Sequence, residues 1–305
     1  MKIKIEKEEI LEETESSEKE KEPQKERKKR KVRKPKAAEA EVSNSPLVYL
    51  GYFVVVVTIC VLIALVARFI FIYQKSTFTS DGYAILIESQ KPFIASYGSM
   101  SKRLTFLELK NFQEGDRIKE SLDLGLPLDG AIKTPVDVSS ENFSSYSLMV
   151  NMFFRQWSTR FENTTILDLF KLISSSMSVN KKDVEAKTVI LSKDGAEGLT
   201  QDEIYDSFKD TDVINEGLSI EVINATDVEG LAGRAAAVIK NTGGNVISVT
   251  SEDPQKASQL IAANNSKTLV RISHLLGITP TINKTFSSQA DVRVILGEDF
   301  AKNAP

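Results

Sequence analysis

Residues 218–249 read LSIEVINATDVEGLAGRAAAVIKNTGGNVISV, and this run sets the fold class. In Leu218–Asn224, Leu218, Ile220 and Val222 alternate with Ser219, Glu221 and Ile223, the period of a half-buried strand. Thr226 and Glu229 have the spacing of a capping box. Behind them Leu231, Ala235, Val238 and Ile239 form a helical stripe that ends at Gly243-Gly244. Asn245–Thr250 reads as a second strand, and Ser258–Asn264 suits a strand or a helix. Ser266 is placed to cap a helix holding Leu269, Ile272, Leu275 and Leu276, with Gly277 as its left-handed stop, and Asp291–Leu296 is the last strand. With 258–264 as a strand the order is βαββαβ, which predicts a split-βαβ sheet with one face under two helices.

Working upstream, residues 82–213 mix signals. Tyr83–Ile87 and Leu104–Leu109 read as strands, and Asp116–Leu124 as a helix closed by Gly125 and Pro127. Tyr146–Phe161 carries Met149, Met152, Phe153 and Phe161 at helical spacing. Thr165 opens a helix with Leu169, Phe170 and Ile173, Lys187–Leu191 reads as a strand, and Thr200-Gln-Asp-Glu203 caps a short helix through Phe208. The expected architecture is α/β (α+β): a mixed α/β region over 76–215 and a βαββαβ region over 217–300, dividing at about Asn215–Gly217.

Leu47–Ala67 is 21 residues without a charge, and its apolar character continues past Arg68 to Tyr73. About 20 residues at 1.5 Å rise cross the ~30 Å hydrocarbon layer, so 47–73 reads as a transmembrane helix. A cleaved signal peptide is disfavoured by the long charged region before the apolar run and the lack of a small-x-small pattern after it. Residues 1–46 form a charged tail, acidic over Glu6–Glu22 and basic over Lys25–Lys36, too poor in apolar residues to offset its ordering entropy and therefore expected to be disordered. Nine Lys/Arg in the basic block precede the span, while Arg68 and Lys75 mark its far side. The positive-inside rule then places the N-terminus in the cytoplasm and 76–305 outside the cell membrane.

Composition excludes several chemistries. Cys60 is the single cysteine and lies in the apolar run, so no intramolecular disulfide or cysteine zinc site can form. His274 is the single histidine, ruling out a His-rich metal site, and its helix-end setting reads as dipole-favoured rather than catalytic. Residues 76–305 carry 23 Lys/Arg against 30 Asp/Glu, a net charge of −7, which disfavours a nucleic-acid partner. The basic block beside the span is better explained as a topology signal touching anionic lipid. No metal and no cofactor is expected.

The string IEVINATDVEGLAGRAAAVIKNTGGNVISV, closed by ADVRVILGEDF, resembles the LytR C-terminal domain. Asn224, Gly230, Leu231, Ala232, Gly244, Val249, Asp291, Leu296, Gly297, Asp299 and Phe300 stand where that pattern expects them. In such proteins the preceding region is often a LytR-CpsA-Psr domain, which transfers glycopolymers from a polyprenyl-pyrophosphate carrier to peptidoglycan. DRIKESLDLGLPLDGAI (116–132) and TTILDLFKLI (164–173) resemble parts of that fold, but its Ser-x-Pro-Arg-Asp stretch is not found. Converging Arg and Asp side chains would be needed to match charge on a transferring group, and Arg103, Arg117, Arg155 and Arg160 are the arginines of the middle region. The preferred reading is a shortened, degenerate relative of that domain with no catalytic residues, and the alternative is an unrelated spacer domain.

Two binding candidates follow. The turn from Asn224 through Thr226 to Gly230, with Arg234 one helical turn on, could hold an anion; the competing reading has Asn224 capping the turn and Gly230 and Gly233 allowing close helix–sheet packing. Arg155, Trp157 and Arg160 form an aromatic-basic cluster suited to a sugar or phosphate, against a helix face with one buried Trp. The expectation is a membrane-anchored envelope protein that binds peptidoglycan, an attached glycopolymer or an envelope protein without catalysis. The alternative is a divergent LytR-CpsA-Psr transferase.

Overall fold

The computed structural model describes residues 46–78, 82–98, 102–112, 115–192, 195–286 and 288–303. The charged tail expected over 1–46 lies outside them up to residue 45. Internal contacts divide the chain into Met1–Val56 and Val57–Pro305. Of the first unit the described residues are the opening turns of α1 (Pro46–Gln74). This helix is apolar on all sides, the pattern of a helix without a polar solvent face. Over Tyr49–Gln74 its most apolar window has mean hydropathy 3.0 and no buried share. Among the described residues it is the one helix long and apolar enough to cross a membrane.

The second unit holds two sheets. The first contains β1 (Tyr83–Glu88), β2 (Phe93–Gly98), β3 (Arg103–Lys110), β4 (Gly130–Lys133), β5 (Arg160–Glu162), β6 (Val184–Ser192) and β7 (Gly195–Glu197), in the order β5-β4-β1-β2-β3-β6-β7. β1, β2 and β3 form an antiparallel meander, β4 joins β1 in parallel, and β6 joins β3 in parallel. Helices α2 (Arg117–Leu124), α3 (Tyr146–Phe154), α4 (Ile166–Met177) and α5 (Gln201–Phe208) cover it. Leu148, Met152, Leu169, Leu172 and Ile173 from α3 and α4 pack on one face, while Leu124, Ile204 and Phe208 from α2 and α5 pack on the other. β1 is consequently buried from end to end. The capping boxes at Thr165 and Thr200 form as their spacing predicts. Asp116 caps α2, and Gly125, left-handed at φ 64°, ends it.

After α6 (Thr211–Glu216) the second sheet is built from β8 (Ser219–Asn224), α7 (Leu231–Asn241), β9 (Asn245–Ser251), β10 (Gln259–Ala262), α8 (Lys267–Leu276), β11 (Pro280–Ile282) and β12 (Val292–Leu296), followed by α9 (Glu298–Asn303). The ambiguous 258–264 is a strand, so the βαββαβ order stands, with β11 added. The pairing is β11-β10-β12-β8-β9, and neither βαβ unit is split. β9 lies directly beside β8 and β11 beside β10, both parallel, while β12 fills the gap between the two units. α7 and α8 bury one face over Ile220, Val222, Leu260, Val292, Val294 and Leu296, as the alternation predicts.

Three local expectations are corrected. The helix from Tyr146 stops at Phe154, and a 3-10 turn carries Gln156–Ser158, so Trp157 is 79% exposed instead of buried on a helix face. Thr226 does not cap α7. Gly230 is its N-cap at φ 74°, a left-handed conformation that displaces the helix start beyond the box. Gly230 and Gly233 are not required for close packing, because an added Cβ at either would meet nothing within 4 Å.

The two sheets share an interior. Leu122 of α2 is part of the core under α7 and α8. Arg271 of α8 reaches into the first sheet region, bonding both carboxylate oxygens of Asp129 and, at 2.5 Å, the carbonyl of Gly82. Asp210 adds a second carboxylate 3.3 Å from Arg271 Nε. Burial alone would lower the guanidinium pKa, but the two carboxylates outweigh it and the net direction is upward. Arg117 donates to the carbonyls of Leu128 and Leu275 at 2.6 and 2.9 Å, stitching the same junction.

Candidate functional site

A cavity of about 660 Å³ opens where the chain leaving α1 meets α6 and α8. Ser76, Thr77 and Phe78 form one wall, Asp210, Asp212 and Glu216 a second, and Asn265, Ser266, Lys267, Val270, Arg271 and His274 a third. A second cavity of about 390 Å³ shares Glu216, Asn265 and Ser266 and continues past Leu218 toward Phe286 and Asp291. The two adjoin at these shared residues, as a groove beside the loop that precedes α8.

Each wall is fixed by local chemistry. Asp168, the buried third residue of the Thr165 capping box, accepts from the backbone N–H groups of Thr77 and Phe78, both at 3.1 Å, and from the Ser76 hydroxyl. Lys171 Nζ donates to the same hydroxyl at 2.7 Å. At the opposite wall Ser266 caps α8, and Glu216 accepts from the first amides of that helix, Lys267 N at 2.8 Å and Thr268 N at 2.7 Å. Partial burial pushes the Glu216 carboxyl up, but these bonds outweigh it and hold it below the usual range. With its amides already paired to a carboxylate, this helix start is not open to an anion.

Lys267 is bonded to Asp212 at 2.7 Å, which raises its pKa. Burial pushes the His274 imidazole down and, with the cations Arg271 and Arg117, outweighs the opposing Asp129 and Asp168, so it lines the groove in its neutral form near pH 7. The groove thus offers amide, hydroxyl, carboxylate and imidazole groups, with the cations of Lys267 and Arg271 already paired to carboxylates, beside the Phe78 ring and the exposed Val270. That mixture suits a neutral polyhydroxylated ligand, since hydroxyls pair with planar polar groups while apolar ring faces rest on aromatic or aliphatic surface. Among the described residues no cluster of three or more His, Cys, Asp or Glu is arranged to hold a metal.

The residues singled out from sequence lie elsewhere. Asn224 is inside its own turn: Nδ2 donates to Val228 O at 2.8 Å, and Oδ1 accepts from Thr226 Oγ1 at 2.7 Å. Thr226 in turn accepts from Val228 N. Arg234 bonds Asp123 of α2 at 2.8 Å, across the junction between the sheets. Arg155 and Trp157 are exposed after α3. Arg160 lines a separate cleft of about 240 Å³ with Glu88, Asp116, Lys133 and Glu162. Of the remaining middle-region arginines, Arg103 pairs with Glu185 at the far side of the meander, and Arg117 turns inward to carbonyl oxygens.

The groove itself was not visible in the sequence. Ser266 carried a capping signal and His274 a helix-end signal, but what faces them comes from residues 190 positions away in the chain leaving α1, and no local pattern encodes that meeting.

Residues 217–300 match the family model described as LytR_C, LytR cell envelope-related transcriptional attenuator. No curated protein matches this chain, and no solved structure does. The match fits a cell-envelope protein, and α1 is compatible with a single-pass membrane anchor. The second sheet, with the loop and helix start that wall the groove, is therefore a LytR C-terminal domain carried by this chain.

Proposed function

We propose that the protein is a single-pass, membrane-anchored bacterial envelope protein, with its N-terminus in the cytoplasm and residues 76–305 outside, that binds cell-wall glycan through the groove without catalysing a reaction. The observation that carries this reading is the groove's composition and place: it joins the segment following the membrane-length helix to the LytR C-terminal domain, and its lining suits sugar hydroxyls. An envelope protein is the competing ligand of the same surface.

The transferase reading draws on the cleft holding Arg160 and Lys133. There a pyrophosphate would meet Glu88, Asp116 and Glu162, three acidic groups against two cations. The test is retention of the detergent-solubilised full chain on isolated sacculi, with and without attached glycopolymers. Binding that needs no attached polymer and falls at least about tenfold (roughly 1.4 kcal/mol) in Asn265→Ala/Asp212→Ala supports the groove reading. Absence of binding shifts the ligand to a protein, and retention on polymer-bearing sacculi alone favours the transferase reading.

A further inference from the structure

The most exposed apolar surface of the folded part is not in the groove. Tyr146, Val150, Phe153, Phe154 and Trp157 are all exposed, with Tyr146 and Phe154 at 74% and Trp157 at 79%. Spacings of four, three and one residues put the first four on one face of α3, opposite the buried Leu148 and Met152, and Trp157 follows on the 3-10 turn. Single exposed apolar residues need no explanation, but five on α3 and the turn after it mark a surface that is covered in use.

What covers it follows from its neighbour. Arg68 of α1 donates to Gln156 Oε1 at 3.2 Å, and its guanidinium lies 4.6 Å from the centre of the Trp157 ring. Leu47–Ala67 carries no charge, and its 21 residues already match the hydrocarbon thickness. Arg68, the first charge, lies five residues before the end of the apolar run at Tyr73, close enough to the boundary between lipid tails and headgroups for its side chain to snorkel there. Trp157 is in contact with it and so lies at the same depth. Four residues N-terminal to Trp157, Phe153 stacks edge-on against Phe154 with ring centres 5.6 Å apart. The end of α1 cannot swing away from this surface freely, because the residues that follow it are clamped on Asp168 of α4, which packs on α3.

We infer that α3 and the turn after it form a second membrane contact, lying in the lipid interface beside α1 with Tyr146, Phe153, Phe154 and Trp157 among the upper acyl chains. Tryptophan and tyrosine favour that depth because their rings are amphipathic. Exposed Arg155, between the two phenylalanines and Trp157 in the chain, supplies a cation for lipid phosphate. The occupant is the bilayer that α1 spans, since the stripe is continuous with the surface of that helix through Arg68 and Trp157. The inference stands independently of what the groove binds.

Trp157 is the single tryptophan of the chain, so its fluorescence reports on this surface alone. The full chain is reconstituted in nanodiscs of phosphatidylcholine and phosphatidylglycerol, with bromine atoms either near the headgroup end of the acyl chains or near their terminal methyls. The expected result is blue-shifted emission, strong loss with shallow bromines, little loss with deep ones, and protection from aqueous iodide. In Phe153→Ser/Phe154→Ser, with the far-UV circular dichroism of the parent chain, the bromine quenching should largely disappear and iodide access rise.

Emission insensitive to bromine but open to iodide would overturn the inference by showing a water-facing stripe. Protection from both quenchers would overturn it in favour of a protein or a second copy as the cover. Bromine quenching unchanged in the double variant would overturn it too, because α1 alone would then be holding Trp157 in place.

Discussion

The two sheets of this protein are stabilised in contrasting ways. The second packs its covered face under α7 and α8, with only Leu122 and Ile118 of α2 added from the other region, and the turn between β8 and α7 satisfies Asn224 and Thr226 internally. The first is buried on both faces and also takes an arginine from α8 of the second at its centre. Asp129 accepts from Ala84 N of β1 at 2.8 Å with one carboxylate oxygen while both oxygens bond Arg271. The lesson is an asymmetry of dependence, in which the first sheet region leans on a charge supplied by the second.

The strongest way to break that contrast is Arg271→Met. It leaves Asp129 and Asp210 buried without their cation, and removing one partner of a buried ion pair costs about 3–5 kcal/mol. Hydrogen exchange read residue by residue should show β1 amides losing protection more than those of β8 and β12. Equal loss in both sheets would mean that the dependence runs both ways.

A smaller effect, confined to the first sheet's side of the junction, comes from Glu120 of α2. Burial, then Asp123 and Glu88, raise its carboxyl to about 7. Its folded value lies above the unfolded one of 4.5, so ionising it costs stability as pH rises from about 4.5 through about 7. Glu120→Gln should therefore stabilise the chain at pH 8 by about 1–3 kcal/mol, with the gain vanishing near pH 4.5. Urea unfolding across that range measures it, and a gain independent of pH would locate the effect in packing rather than charge.

The smallest expected effects sharpen the claim that the β8–α7 turn is locally determined. Gly230→Ala places a side chain at φ 74° and should cost about 1–2 kcal/mol. Gly233→Ala, inside α7 with open space around it, should stabilise by about 0.5–1 kcal/mol. Thermal unfolding of the pair decides the matter: a loss in both would mean that packing, not backbone conformation, requires these glycines.

The same contrast governs what could be read from sequence. β8 alternates because one face is covered more completely than the other, so its period was plain, as were the helix stops at Gly125 and Gly277. β1 is buried throughout and has no alternation to announce its partners, and β2 passed unmarked because Phe93–Gly98 is almost wholly buried. Pattern misled where conformation intervened. Thr226 and Glu229 have capping-box spacing, yet the left-handed Gly230 moved the helix start, and Trp157 fell on a 3-10 turn that helical periodicity does not foresee. The groove was illegible because its walls are brought together by Asp168 and Glu216 binding backbone amides of distant segments.

The clamp on Asp168 also sets a working radius. A flexible tether of n residues lets its cargo explore about 5–6 Å × √n from the anchor point. Here the chain is pinned at Ser76–Phe78, within four residues of the helix end at Gln74, so the leash has almost no slack. The body cannot be cast outward to search for a target. With α1 in a bilayer, as proposed, whatever the body engages must come within the body's own height of that surface.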